Sequence, residues 1–187
     1  METDKATMRR VYRQKRDDFV GALAEQDRTI AFSQVPTPLS VFFRAGTIVA
    51  GYIAKDSEAN PAALLAAAHA RGCIIALPHV TSRVVPMRFL RWSPGDPLVA
   101  GPFGLLQPAA DAEIVSPNVL LVPLVAFDNR LMRLGQGAGH YDRALSILAD
   151  ATAIGVAWAN QHAPSIEAEQ WDIPMDAILT EKSWMTL

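Results

Sequence analysis

The chain has 187 residues, half of them hydrophobic, a formal charge of −2 and a single cysteine. That length and apolar content suffice for one domain spanning residues 1–187 without metals or disulfides, and one cysteine excludes both a disulfide framework and a cysteine-based zinc site. Near-neutral charge gives no general pull toward nucleic acid, and the longest apolar run, Val119 to Phe127, falls far short of the roughly 18 residues that span a bilayer.

Met1 to Arg16 is polar and charged, without the apolar stretch of a secretory signal, so a cytoplasmic location is expected. Met8, Val11, Tyr12, Phe19 and Leu23 share one face at helical spacing, with Asp4 available as a cap. Lys5 to Arg16 holds six basic residues and no acidic one, which suits either local anion binding or a solvated face. Thr47 to Ile53, rich in β-branched residues after Gly46, predicts a strand. Asn60-Pro61, an alanine- and leucine-rich stretch and Gly72 carry the start and stop signals of a helix. Cys73 to Leu77 is apolar throughout, which predicts a strand covered on both faces, as in a parallel sheet between helices, with Cys73 an inert buried thiol.

Pro78, Pro86, Pro94, Pro97, Pro102 and Pro108 exclude long helices from the next segment. Val84 to Trp92 is read there as a strand or hairpin arm, and the rest as loops over one end of the sheet. Val119 to Phe127 predicts a buried strand, with Pro123 pointing to an edge or a bulge. Tyr141, Ala144, Leu145 and Leu148 follow at helical spacing, then Ala153 to Trp158 and Ile178 to Thr180 as strands. The alternation is that of an α/β fold.

The most informative stretch is Arg133-Leu134-Gly135-Gln136-Gly137-Ala138-Gly139-His140-Tyr141-Asp142-Arg143, between a strand and a helix. Glycines at alternate positions let the backbone approach a ligand and turn its N–H groups toward an anion, although a plain glycine-rich turn has the same composition. Arg133 can neutralise phosphate charge, and Asp142 offers either a helix cap or a carboxylate for a hard cation. Asp172 and Asp176 flank the fixed turn at Pro174 and supply further oxygen ligands of the kind magnesium takes. His69, His79 and His162 are not spaced as a metal set.

RLGQGAGHYDRAL resembles the glycine-rich signature of the 5-formyltetrahydrofolate cyclo-ligases. The basic N-terminal helix, Ile53 to Glu58, Leu77-Pro78, Met87-Arg88, Phe103-Gly104-Leu105 to Pro108, Val122 to Asp128, Gln161 and the Asp172 segment stand around it in the family's order, from about Lys5 to Glu181. The resemblance implies a three-layer, mostly parallel sheet with helices on both faces, of the phosphosugar-isomerase and CoA-transferase type. It implies two small-molecule substrates, ATP and 5-formyltetrahydrofolate, with Mg2+ and no nucleic-acid or membrane partner, and a monomer is expected. Lys5 and Arg9 would contact ATP, and the loop from Arg133 through Leu134, Gly135, Gln136, Gly137, Ala138, Gly139, His140 and Tyr141 would wrap its phosphates. Asp142 and Asp172 would hold magnesium. Glu58 would orient the pterin, Ile53, Met87 and Phe103 would wall it, and Gln136 to His140 would touch it as well. Arg133, Tyr141 and Asp142 are the expected catalytic groups.

The implied reaction transfers the γ-phosphoryl group of ATP to the formyl oxygen, after which N10 closes the ring. The chain departs from the family at His140, where a tyrosine is common, at Gln136 and Ala138, where some loops carry a basic residue, and at Gln107, where an acidic residue is common. Two other functions fit the same architecture: a non-catalytic nucleotide- or folate-binding homologue, and an ATP-independent isomerase or CoA-transferase.

Overall fold

The computed structural model describes residues 4–187. Helix α1 (Lys5–Ala22) opens the chain, followed by the short helices α2 (Glu25–Ile30) and α3 (Thr37–Ser40), strand β1 (Ile48–Ala50) and helix α4 (Ala62–Ala70). Strands β2 (Ile74–His79), β3 (Arg88–Arg91), β4 (Val99–Ala100), β5 (Leu106–Gln107) and β6 (Ile114–Val115) come next. Strands β7 (Val119–Pro123), β8 (Ala126–Phe127) and β9 (Arg133–Leu134) lead to helix α5 (His140–Ile147). Strands β10 (Thr152–Val156), β11 (Ala177–Leu179) and β12 (Trp184–Met185) complete the chain.

Eight strands form the main sheet in the order β12-β11-β10-β7-β1-β2-β3-β6. The core of five, β11 to β2, is parallel, while β12 and β3 run against it and β6 pairs antiparallel with β3. Side chains alternate strictly between the faces. Val49, Ile75, Leu77, Leu121 and Ile154 pack on one face with Val20 of α1, Leu39 of α3 and Leu64 of α4. Ala50, Ala76, Leu120, Val122 and Ala153 pack on the other with Leu145 of α5 and Phe127 of β8. Each fully buried aliphatic side chain contributes about 1.5–3 kcal/mol over leaving it in water, which is why the apolar runs read from the sequence supply the strands of the sheet's parallel core.

The sequence signals differ from the structure in informative places. Asp4 stands at the N-cap of α1 but makes no side-chain cap bond, whereas Asn60 Oδ1 accepts from Ala62 N at 3.0 Å and starts α4 as expected. The inward stripe of α1 is the half-buried Met8 and Tyr12 with the buried Arg16 and Val20, rather than one containing Val11, which is 49 % exposed. Val119–Phe127 is not one strand but two, β7 and β8, separated at Leu124 and Val125.

Pro123 lies at the end of a central strand, neither at an edge nor in a bulge. The proline is tolerated because β7 pairs with β1 only as far as Leu120, so its missing N–H faces a flank where the ladder has already ended. Cys73 is buried, its Sγ near Arg44 O at 3.2 Å and its thiol pushed up by burial, as fits an inert side chain.

Topology places the site. From β1 the chain crosses over α4 to β2 on one side and later returns to β7 on the other. A crevice therefore opens beyond the carboxyl ends of β1 and β7, where α/β sheets bind ligands.

Candidate active site

A cleft of about 940 Å³ occupies this crevice. It is lined by segments far apart in sequence: one stripe of α1, residues 52–58 after β1, the loop between β2 and β3, Phe103, the glycine-rich loop and residues 169–172. The residues expected to bind ATP, folate or magnesium line it, from Lys5, Arg9, Ile53 and Glu58 through Met87, Phe103 and Arg133–Asp142 to Asp172, whereas Asp176, the other acid of the Pro174 turn, lies outside it with its Oδ2 accepting from Ala153 N at 2.7 Å.

The glycine-rich loop joins β9 to α5. Gly137 has φ 106° and Gly139, the N-cap of α5, has φ 65°, conformations that a side chain resists. α1 clasps the loop from one side. Arg9 Nε donates to Gly135 O at 2.8 Å, and Arg13 donates to Gln136 Oε1 at 2.7 and 2.9 Å and to Gln136 O at 3.2 Å. From the other side Gln136 Nε2 donates to Glu58 Oε1 at 3.0 Å, while Glu58 Oε2 accepts from Lys55 N at 3.1 Å.

Three ion pairs on two cations brace the floor. Arg133, with 3 % of its side chain exposed, reaches Asp142 Oδ1 at 2.6 Å and lies 5.8 Å from the centre of the Tyr141 ring. Lys5 Nζ meets Asp172 Oδ2 at 2.5 Å and Glu169 Oε2 at 2.8 Å, tying the start of α1 to the segment before β11. Burial disfavours both charges of the Lys5–Asp172 pair, yet the partners outweigh it: Lys5 is held above its ordinary value, and Asp172 is held below by the Glu169 N–H and by Lys5. The phenols of Tyr141 and Tyr52 are pushed up by burial and by Glu58, so both stay protonated, and the Tyr141 hydroxyl has no hydrogen-bond partner among the described residues.

His140 Nδ1 lies 3.1 Å from Arg143 NH2, and burial with Arg143 and Arg83 pulls its pKa down. Since a guanidinium only donates, Nδ1 accepts and the proton of the neutral ring sits on Nε2, which is enclosed and unpartnered.

Only one oxygen of each of Asp142 and Asp172 is committed to a hydrogen bond among the described residues, leaving Asp142 Oδ2 and Asp172 Oδ1 free. No three acidic, histidine or cysteine side chains gather into a cage among the described residues. Magnesium is ordinarily held by one or two carboxylates plus water and phosphate oxygens, so this donor set fits it.

Sequence reasoning missed Arg13 and Arg16, although Lys5, Arg9, Arg13 and Arg16 sit at the helical spacing of one face turned to the cleft. Arg16 is buried with its Nε donating to Ser57 Oγ at 2.8 Å. Gln107 is also buried, its Oε1 accepting from Val80 N at 3.0 Å, so the residue that replaces a family carboxylate fixes the loop after β2.

The 5-formyltetrahydrofolate cyclo-ligase family model matches residues 2–181. The chain belongs to the 5-formyltetrahydrofolate cyclo-ligase family. It is 32 % identical over 139 residues to the 5-formyltetrahydrofolate cyclo-ligase of Haemophilus influenzae, covering 70 % of this chain and 74 % of that one. With the Mycolicibacterium smegmatis enzyme of the same name it shares 35 % over 147 residues, covering 74 % and 75 %. The NMR structure of Aquifex aeolicus 5,10-methenyltetrahydrofolate synthetase superposes with a TM-score of 0.77 at 28 % identity, over 97 % of this chain and 92 % of that one. The α/β architecture is thus the family's fold. Among the described residues no helix is long and apolar enough to cross a membrane.

Proposed function

We propose that residues 1–187 act as one cyclo-ligase domain, a cytoplasmic monomer that uses ATP to close 5-formyltetrahydrofolate to 5,10-methenyltetrahydrofolate, releasing ADP and phosphate. The observation that supports this most is the 3.0 Å hydrogen bond from Gln136 to Glu58, because it joins the anion-binding loop to the carboxylate suited to a pterin. A folate held by Glu58 and a triphosphate held by residues 135–139 would be neighbours.

A formamide carbon does not react with an amine because its oxygen is a poor leaving group. Phosphorylation changes that: the formyl oxygen attacks the γ-phosphorus, the bridging P–O bond to ADP breaks, and the oxygen becomes part of a phosphate ester. N10 then bonds to the same carbon, the carbon–oxygen bond breaks, phosphate leaves and N10 loses its proton. The protein needs no nucleophile of its own for this. Its work is alignment and charge neutralisation.

In this reading Arg9, Lys5 and the loop amides hold the phosphates. Arg133, kept in one orientation by Asp142 and the Tyr141 ring, meets charge that develops on the transferred group. The His140 Nε2–H supplies a neutral donor beside the loop. Asp142 and Asp172 are the carboxylates that would hold Mg2+, which supplies positive charge shared among phosphate oxygens. Glu58 accepts from pterin N–H groups while Met87 and Ile53 cover its faces. Isothermal titration with Mg-ATP and with 5-formyltetrahydrofolate, followed by the absorbance of the methenyl product, tests the assignment. Binding of both ligands with ATP-dependent product is expected. Binding without product would favour a non-catalytic homologue, and indifference to ATP an isomerase-like enzyme.

A further inference from the structure

The mouth of the cleft carries Phe103, which the family resemblance assigns to the pterin wall with Met87 and Ile53 but which stands far more exposed than Met87. Phe103 has φ 62° and ψ 20°, and Gly104 after it has φ 70°. Two successive left-handed residues are unusual, and a bulky side chain in that region is an outlier of the kind that clusters at ligand clamps. The result is an aromatic ring left 50 % exposed at the rim, while Met87, deeper in the same cleft, is 7 % exposed.

Two cations stand beside Phe103, one at its carbonyl and one against its ring. Lys55 Nζ donates to Phe103 O at 3.4 Å, and the Arg83 guanidinium lies 5.3 Å from the ring centre on its other contact. Both are held by their backbones: Lys55 N donates to Glu58 Oε2 at 3.1 Å, and Arg83 O accepts from Arg143 NH2 at 2.9 Å. Neither is in an ion pair among the described residues, whereas Lys5 and Arg133 in the same cleft both are. Two exposed, unneutralised cations, one at the Phe103 carbonyl and one over its exposed ring, match a ligand part that is aromatic, then dianionic, and lies where the cleft meets water.

Taking the folate reading above as its premise, we infer that Lys55, Arg83 and the Phe103 ring form a subsite for the benzoylglutamate arm of the substrate, the two cations taking its α- and γ-carboxylates. A pterin seated near Glu58 and Met87 must send that arm outward. The ring offers the benzoyl group an apolar face. The cations offer charge-assisted hydrogen bonds that a neutral arm cannot use.

The test is a binding titration of 5-formyltetrahydrofolate and of its α,γ-diamide, which keeps N10, the benzoyl ring and the shape but loses both charges. Lys55→Gln and Arg83→Gln should each weaken binding of the acid about threefold, and the double variant roughly tenfold, the scale of exposed ion pairs. The diamide should bind wild type as weakly as the acid binds the double variant, and the substitutions should not weaken it further. Arg91→Gln, an exposed charge of β3 outside the cleft, should leave both affinities unchanged, and ATP affinity should be unaltered throughout. Rising salt should weaken the acid in wild type and not in the double variant. Wild-type affinity of the double variant for the acid, or equal losses for acid and diamide, overturns the subsite. Because the titration reads binding, a wild type that binds the acid yet forms no methenyl product overturns the reaction instead; one that does not bind the acid overturns both.

Discussion

Two carboxylates in this molecule sit beside arginines and do opposite things. Asp128, 1 % exposed, spends its whole acceptor capacity inside the protein: Oδ1 accepts from Arg130 N and Met132 N at 2.9 and 3.1 Å, and Oδ2 accepts from Ile166 N at 2.9 Å and from the Arg130 guanidinium at 2.9 and 3.2 Å. Asp142 has one bond of this kind, to Arg133, and keeps an oxygen for something else. The difference teaches that an acid–arginine pair is structural when its lone pairs are saturated and available for a ligand when they are not. Asp128 ties the β8–β9 turn to the segment at Ile166. Asp142 faces the cleft.

The sharpest way to break this comparison is to neutralise each carboxylate without changing its shape. Asp142→Asn should lower kcat by about 100- to 1,000-fold, the scale of removing a group that organises transition-state charge, with a smaller loss of stability than Asp128→Asn because the Asn oxygen can still accept from the buried Arg133. Asp128→Asn should do the reverse, costing about 3 kcal/mol in denaturant titration while its folded fraction turns over normally. Equal stability losses in the two variants would dissolve the distinction.

A smaller effect sharpens it with pH. Burial opposes ionisation of Asp128, but the Ile166 N–H, Arg130 and the Met132 N–H together hold its pKa below the ordinary value. A depressed folded-state pKa means stability that is complete above the unfolded value of about 3.9 and lost as pH falls through the lower folded value. Acid unfolding followed by circular dichroism should therefore steepen below about pH 4 in the wild type and lose that component in Asp128→Asn. The smallest expected effect concerns Glu58→Gln, which should weaken 5-formyltetrahydrofolate roughly tenfold in titration while barely moving ATP, because only the pterin presents N–H donors to that carboxylate. Equal weakening of both ligands would remove Glu58 from pterin recognition.

Much of the fold was legible because the sheet's parallel core is buried on both faces, so Val119 to Phe127 and Cys73 to Leu77 read as continuous apolar runs, although the first holds two strands and not one. β4, β5, β6 and β12 were not, since two-residue strands carry no period to detect. The loop residues of the site were visible through their glycines and through the family signature. Arg16 was hidden because a charge in an apolar stripe reads as solvated until its burial beside Ser57 is seen. Lys55 and Arg83 were hidden for another reason: their significance comes from flanking Phe103, a contact across 48 residues for one of them that no local pattern encodes.

The central claim is that ATP activates the formyl oxygen, and isotope transfer tests it most directly. With 5-formyltetrahydrofolate labelled with ¹⁸O in the formyl group, ATP and magnesium, mass spectrometry of the released inorganic phosphate should find one labelled oxygen per methenyl group formed. Unlabelled phosphate, with the label recovered in water, would contradict it.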